Sequence, residues 1–340
     1  MKFLKYLIFI NILFVCINPS ILAASILDNI KKRKVLHCGV TMGVAGFSSP
    51  DSKGHWTGIE VDICRAVSAA VLGDSSLVKF IPLSGQSRFT ALQSGEIDIL
   101  SRVTTWTLTR DTSLGLNFAP TIFYDGQGFM VRKKDNIKNI KDLNGATICT
   151  QQGTTTELNL ADYFRANRIK MKPVVFENND EVTQAFFKGR CDAFTNDTSG
   201  LVAQKIKTKN PEDYVILDEV ISKEPLGPAV RHGDDQWFDI VKWSVFALIS
   251  AEEFGITSSN IEKFKSTSKV PNIKRLLGVT TGNGKALGLT EDWAYRIIKQ
   301  VGNYGEIFEK NIGQLSPLKL KRGQNALWKN GGLLYAPPLR

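Results

Sequence analysis

The chain has three histidines, His37, His55 and His232, and they lie far apart. It has no Cys-x-x-Cys pair, so a zinc site has little to stand on. No serine or cysteine forms a recognisable nucleophile–histidine constellation. After the first two dozen residues, no apolar run approaches the length of a membrane span. Low-complexity stretches and long linkers are absent as well. The formal net charge is +10, two of it from Lys2 and Lys5, but the basic residues are thinly spread. Without a basic stripe interleaved with aromatics, nucleic-acid binding has no support. An overall positive surface suits attraction of small anionic solutes.

The N-terminus is the one place where an apolar run stands out. Met1–Ala23 begins with Lys2 and Lys5, continues through Tyr6–Val15 and ends near Ile-Leu-Ala-Ala. That order reads as a secretory leader, too short and wrongly flanked for a spanning helix. Cys16 falls inside it and is read as a passenger. Four cysteines remain, Cys38, Cys64, Cys149 and Cys191. An even number in an exported chain implies two disulfides, for which three pairings exist. Chain order argues for Cys38–Cys64 and Cys149–Cys191, because each pair would join neighbouring elements of one lobe.

At 340 residues the chain is long enough for two lobes. Strand and helix patterns alternate. Lys34–Val40 reads as a strand, Pro50–Gly54 as a hairpin tip, Ile63–Val71 as a helix, Val78–Pro82 as a strand and Ser87–Ser94 as a helix closed by Gly95. Such alternation predicts parallel α/β sheets. Further along, Glu224–Arg231 reads as a returning strand, with Lys242–Glu253 and Gly302–Gly313 as helices. The crossovers between lobes are expected near Phe123–Gly126 and Arg231–Asp234.

One stretch organises the rest. Ser101–Arg110 follows the short buried strand after Gly95 and turns into hydroxyl residues and an arginine. Thr107 is placed to cap a short helix. Free amides, Thr105 and the guanidinium fork of Arg110 suit a small carboxylate. The same pattern recurs: Ala91–Ser101 aligns without gaps on Ala185–Thr195, each a helix end, a glycine stop, an aspartate and a strand ending in a hydroxyl residue. After the second copy comes Asn196-Asp197. Two facing lobes would then offer a cation from one side and an anion from the other, as a zwitterion requires. Between the copies, Thr154 and Glu157 have capping-box spacing at the start of a helix.

Taken together, Cys38-Gly-Val with Gly46-Phe47-Ser48, Gly58–Asp62, Ser101–Arg110, Gln152–Glu157, Gly189–Asp197, Lys223–Val230 and Val301–Gly305 resemble the exported amino-acid-binding proteins of ABC transporters, most closely the general L-amino-acid-binding subgroup. The resemblance implies an α/β, type II periplasmic-binding-protein fold. Each lobe would be a mixed or parallel sheet flanked by helices, joined by a two-stranded hinge. The expected divisions are a leader at 1–23, a first lobe from 24–123 and 233–340 with a C-terminal extension, and a second lobe at 124–232.

By the same resemblance, Arg110 would hold a ligand α-carboxylate, supported by Thr105 and the backbone at Val103. Thr154 would reach that carboxylate from the second lobe, and Asp197 would take the α-ammonium. Arg88 would meet a ligand side chain, and Gln151 would line the pocket. Val44 stands where many relatives carry a covering aromatic, which implies a roomier and less selective pocket. Trp106 is left as packing. The function implied is capture of L-amino acids, acidic and neutral, in the periplasm and delivery to an ABC permease by a monomer without cofactor. The rival is an exported enzyme on this fold, such as a dehydratase of amino-acid-like acids, with Glu224 or Asp197 as its acid or base.

Overall fold

The computed structural model describes residues 25–340; the leader and Cys16 lie outside them. The chain starts the first lobe with α1 (Ile26–Arg33), β1 (Leu36–Val40), the hairpin β2 (Ser49–Pro50) and β3 (Trp56–Thr57), and α2 (Ile59–Leu72). Next come β4 (Val78–Pro82), α3 (Ser87–Ser94), β5 (Ile99–Leu100), α4 (Leu108–Thr112) and β6 (Leu116–Phe118). Strand β7 (Phe123–Asp125) crosses to the second lobe. There the chain forms β8 (Gln127–Arg132), β9 (Ala146–Gln151), α5 (Thr155–Ala166), β10 (Met171–Phe176), α6 (Asn179–Phe187), β11 (Ala193–Asp197), α7 (Thr198–Lys205) and β12 (Tyr214–Ile216). It returns through β13 (Glu224–Leu226) into β14 (Ala229–Arg231). The remainder is helical: α8 (Asp235–Glu253), α9 (Ile261–Thr267), α10 (Pro271–Leu276), α11 (Asn283–Leu287), α12 (Trp293–Val301) and α13 (Tyr304–Asn311).

Each lobe carries a five-stranded mixed sheet, ordered β4-β1-β5-β14-β6 in the first and β10-β9-β11-β8-β12 in the second. The parallel pairs β1–β4, β1–β5, β9–β10 and β9–β11 are joined through helices, as parallel neighbours must be. Strands β7 and β13 form a separate antiparallel ribbon between the sheets. The repeat legible in the sequence is a repeat of hydrogen bonds. Gly95 and Gly189 both adopt left-handed backbone, at φ 79° and 83°. The Asp98 carboxylate then accepts the His37 amide at 2.8 Å, and the Asp192 carboxylate accepts the Thr147 amide at 2.7 Å. Each aspartate thereby ties the incoming strand to the adjacent one, and the segment after it is delivered to the carboxyl end of its sheet.

Several expected boundaries move. Helix α2 begins at Ile59, four residues early, with Gly58 at its N-cap. Helix α8 begins at Asp235, because the Asp234 carboxylate caps it by accepting the Trp237 amide at 2.9 Å. Glu224–Arg231 is two strands rather than one, broken at Gly227-Pro228. The first pairs with β7 and the second with β5 and β6. The return crossover is therefore at Glu224–Leu226, not at Arg231–Asp234, which already belongs to the first lobe.

The disulfides are Cys38–Cys64 and Cys149–Cys191, with Cα separations of 6.3 and 5.7 Å. The first ties β1 to α2 and the second ties β9 to the start of β11. The C-terminal extension has little regular structure, yet it is anchored. Asn325 is buried against β7, with its side-chain oxygen accepting the Tyr124 amide at 2.6 Å and its nitrogen donating to the Tyr124 carbonyl at 3.1 Å. One amide side chain thus bonds the hinge ribbon's outer edge as a neighbouring strand residue would. Arg322 pairs with Glu252 at 3.0 Å and lies over the rings of Tyr304 and Phe308.

Candidate functional site

Between the lobes lies a cavity whose walls come from both sheets. The first lobe supplies Thr41–Val44, Phe47, Arg88, Arg102, Val103 and Thr105; the second supplies Gln151, Thr154–Thr156, Asn178–Asp180, Asn196, Asp197, Ser199 and Gly200. The lobes touch around it. The Lys207 ammonium donates to the Gly43 carbonyl at 3.3 Å, and Arg88 Nη2 approaches the Gly153 carbonyl at 3.5 Å.

Glu224, on the hinge strand β13, joins the three parts of the molecule. Its Oε2 accepts the hydroxyls of Thr105 (2.5 Å) and Thr155 (3.0 Å), and its Oε1 accepts Asn159 (2.8 Å) and Ser222 (2.6 Å). The segment carrying Thr105 is held beside β13 by the Trp106 amide, which donates to the Pro225 carbonyl at 2.9 Å. Trp106 stacks on Phe118 with ring centroids 5.8 Å apart, a packing role as expected.

Asp197 occupies the N-cap position of α7, but its side chain does not cap that helix. The carboxylate is buried on the cavity wall and is engaged by no hydrogen bond among the described residues. Burial holds it well above the ordinary carboxylate range, repulsion from Asp125 and Glu224 adds to this, and Arg88 and Arg110 oppose it. Asp125 is pushed to about 6, chiefly by burial, although Ser199 donates to it.

Three guanidiniums face these acids. Arg88, expected by resemblance to meet a ligand side chain, is almost fully buried on the cavity wall. Its Nη1 donates to the Val103 carbonyl at 3.2 Å, and its Nε is buried without a partner. Burial, then the charges of Arg110 and Arg102, bring its pKa well below the usual arginine value. Arg110 is buried beside Thr105, its Nη1 donating to the Thr105 carbonyl at 2.8 Å and its guanidinium carbon 5.1 Å from the centre of the Phe89 ring. Its amide is capped by Thr107 as anticipated. Burial lowers its pKa to about 10 against the pull of Glu224 and Asp197.

The remaining expected residues divide. Val44 and Gln151 line the cavity, and Gln151 also donates to the Glu177 carbonyl at 3.0 Å. Thr154 caps α5, accepting the Glu157 amide at 3.2 Å and donating to the Gln151 carbonyl at 2.7 Å. Its hydroxyl is thus used within the protein, and what α5 offers a ligand is the first-turn amides. Val103 adopts φ 40°, a strained conformation for a β-branched residue. Its amide is held by the Glu60 carboxylate and its carbonyl by Arg88.

Sequence reasoning passed over Glu60, Arg102, Asp125, Thr155 and Asn179. Glu60 reads as an ordinary acid in a helix first turn; the one clue was its place between Ile59, Val61 and Ile63. Burial raises its pKa to about 7, although Val103, Ser48, Arg102 and Arg88 all favour the charged form. Arg102 follows a strand of only two residues, too short for alternation to tell where its side chain goes.

A match to the bacterial extracellular solute-binding proteins, family 3, runs over residues 36–314. The chain belongs to this family. It is 58% identical over 326 residues to the general L-amino acid-binding periplasmic protein AapJ of Rhizobium johnstonii, covering 95% of each chain. It is 52% identical over 318 residues to the glutamate/glutamine/aspartate/asparagine-binding protein BztA of Rhodobacter capsulatus, covering 94% of each. Among solved structures, an ABC transporter periplasmic binding protein from Brucella ovis with glutathione bound has a TM-score of 0.91 at 55% identity, covering 94% of this chain and all of that one. The two lobes and hinge are accordingly those of a type II solute-binding protein. As a member of that family the chain extends beyond the matched segment at its C-terminus, where Asn325 grips the hinge.

Proposed function

We propose that this chain captures L-α-amino acids between its lobes in the periplasm, after export through a cleaved leader, and delivers them to an ABC transporter permease. The observation that carries the reading is the pairing across one cavity of an uncapped, buried Asp197 with guanidiniums from the opposite lobe. A zwitterion satisfies both at once. The α-ammonium is assigned to Asp197. The α-carboxylate is assigned to Arg110, whose Nε and Nη2 have no hydrogen bond among the described residues, together with the first-turn amides of α5. The names of AapJ and BztA support a range that takes in acidic and neutral amino acids. The glutathione of the Brucella relative supports a ligand that extends beyond a single amino acid, with a free α-amino-acid head. Val44 and Gly43 leave room for one, since a Cβ added at Gly43 would meet nothing within 4 Å.

The enzyme alternative has a weaker basis. A general acid or base must be free to exchange a proton with the ligand; both oxygens of Glu224 are committed to four donors, and Asp197 is assigned to the ligand's ammonium. Calorimetric titration of the wild type and Asp197→Asn with glutamate, glutamine and alanine tests the binder reading. Loss of the ammonium's partner is expected to weaken all three by about a hundredfold or more. Unchanged affinities in the variant would remove Asp197 from the site. Failure of the wild type to bind any of them would overturn the amino-acid assignment.

A further inference from the structure

An α-amino-acid head accounts for one of the three guanidiniums. Arg110 lies at the hinge end of the site, where the nearest acids are Glu224 and Asp197. Arg102 differs: the acid that most favours its charged form is Glu60, with Asp197 contributing less. It is buried on the cavity wall, anchored by Nε donating to the Leu83 carbonyl at 3.0 Å. Among the described residues, no hydrogen bond or ion pair engages its two terminal nitrogens. Beside it, Arg88 Nε is buried and unpartnered. From the second lobe, Asn179 brings a side-chain nitrogen that is also buried and unpartnered, while its oxygen accepts from Asn196 at 3.3 Å. Unmet buried donors are costly, and here they come from both lobes and converge on one cavity. The acids that face this end are few. Glu60 already accepts the Val103 amide and the Ser48 hydroxyl, Asp197 attracts both arginines but is assigned to the ligand's ammonium, and Asp180 stands exposed on the rim.

We propose that Arg102 is a specificity-determining residue that, with Arg88 and Asn179, forms a subsite for a second carboxylate on ligands with an α-amino-acid head. The inference rests on the amino-acid reading of the site and names a preferred class within it: acidic amino acids and γ-glutamyl peptides. A second carboxylate supplies the acceptors that Arg102, Arg88 and Asn179 lack, and it offsets the mutual repulsion of the two arginines. A neutral side chain does neither.

Two matched ligand pairs test this by calorimetry at neutral pH. Glutamate against glutamine differs in a carboxylate on a short chain. S-Methylglutathione against the same molecule esterified at its glycine differs in a carboxylate on a long one, and the methyl group prevents thiol attack on the disulfides. In the wild type, the acid of at least one pair is expected to bind tenfold or more tightly than its neutral partner. Arg102→Gln is expected to bring that ratio to within about twofold while the affinity for glutamine stays within about threefold. Arg102→Lys, which keeps the charge without the fork, is expected to fall between. Which pair responds tells whether the subsite reads a short or an extended ligand. Equal binding within both wild-type pairs would overturn the proposal, and this comparison needs no variant to fold. An Arg102→Gln protein that keeps its acid preference, or loses all four ligands equally, would overturn it too. In either case retained binding of glutamine by the wild type would leave the amino-acid reading standing; binding of none of the four would sink both.

Discussion

Replacing Glu60 by glutamine isolates the electrostatic cost of holding the Ser101–Arg110 loop in place. Glu60 is 2% exposed, and its oxygens accept from the Val103 amide and the Ser48 hydroxyl. Burial outweighs those bonds and the nearby arginines, so the carboxyl titrates at about 7 in place of 4.5. Between these two values the folded protein keeps a proton that the unfolded chain has lost. Stability from this group is therefore fully present below about pH 4.5 and lost as pH rises through about 7. A displacement of that size corresponds to roughly 3 kcal/mol. Glutamine retains an acceptor for Val103 and cannot ionise. Urea titrations from about pH 4.5 to pH 8 are expected to show wild-type stability falling relative to Glu60→Gln by about 3 kcal/mol across the range. Asp125 and Asp197 carry raised values of the same sign in both proteins, so the difference between the curves is the informative quantity. Parallel curves for the two proteins would refute the reasoning, because they would mean that Glu60 titrates alike in the folded and unfolded chain.

Arg110→Met removes the group assigned to every ligand's α-carboxylate, so glutamate, glutamine and alanine should weaken together by about a hundredfold; a loss confined to one ligand would reassign the residue. Non-reducing peptide mapping should recover Cys38–Cys64 and Cys149–Cys191. With sequence separations of 26 and 42 residues, removing each bond should cost about 3–4 kcal/mol in urea or thermal unfolding. Asn325→Ala leaves the Tyr124 amide and carbonyl without partners, which should cost about 1–3 kcal/mol. Hydrogen exchange at Tyr124 should accelerate, and unchanged protection would show that the C-terminal extension does not hold the hinge. Small-angle scattering should show a more compact particle with ligand than without if the unliganded lobes open. An unchanged radius of gyration together with measured binding would mean that they are already closed.

The local elements were legible in the sequence because their signals are local. Ser87–Ser94 with its Gly95 stop, the Thr107 and Thr154 caps, and the paired Gly-x-x-Asp units each depend on a few adjacent residues whose backbone preferences and hydrogen bonds are short-range. Asp197 and Thr105, which line the cavity, could be singled out in the sequence because each follows one copy of a repeated helix–glycine–strand pattern. Chain order likewise favoured the cysteine pairing. What only the tertiary structure decided was the fate of charged side chains. Glu60 has only its apolar neighbours to mark it and Arg102 has nothing; they are buried because α2 and the loop after β5 meet through Val103. That Arg88 is buried among other arginines, and that the Nη1 of Arg110 is spent on the Thr105 carbonyl while its Nε and Nη2 are left over, follows only from the packing. The break at Gly227-Pro228 was visible as residues, but which side of it belonged to which lobe depended on pairing with strands more than a hundred residues earlier. Burial and long-range pairing are properties of two surfaces brought together, and a sequence carries each surface separately.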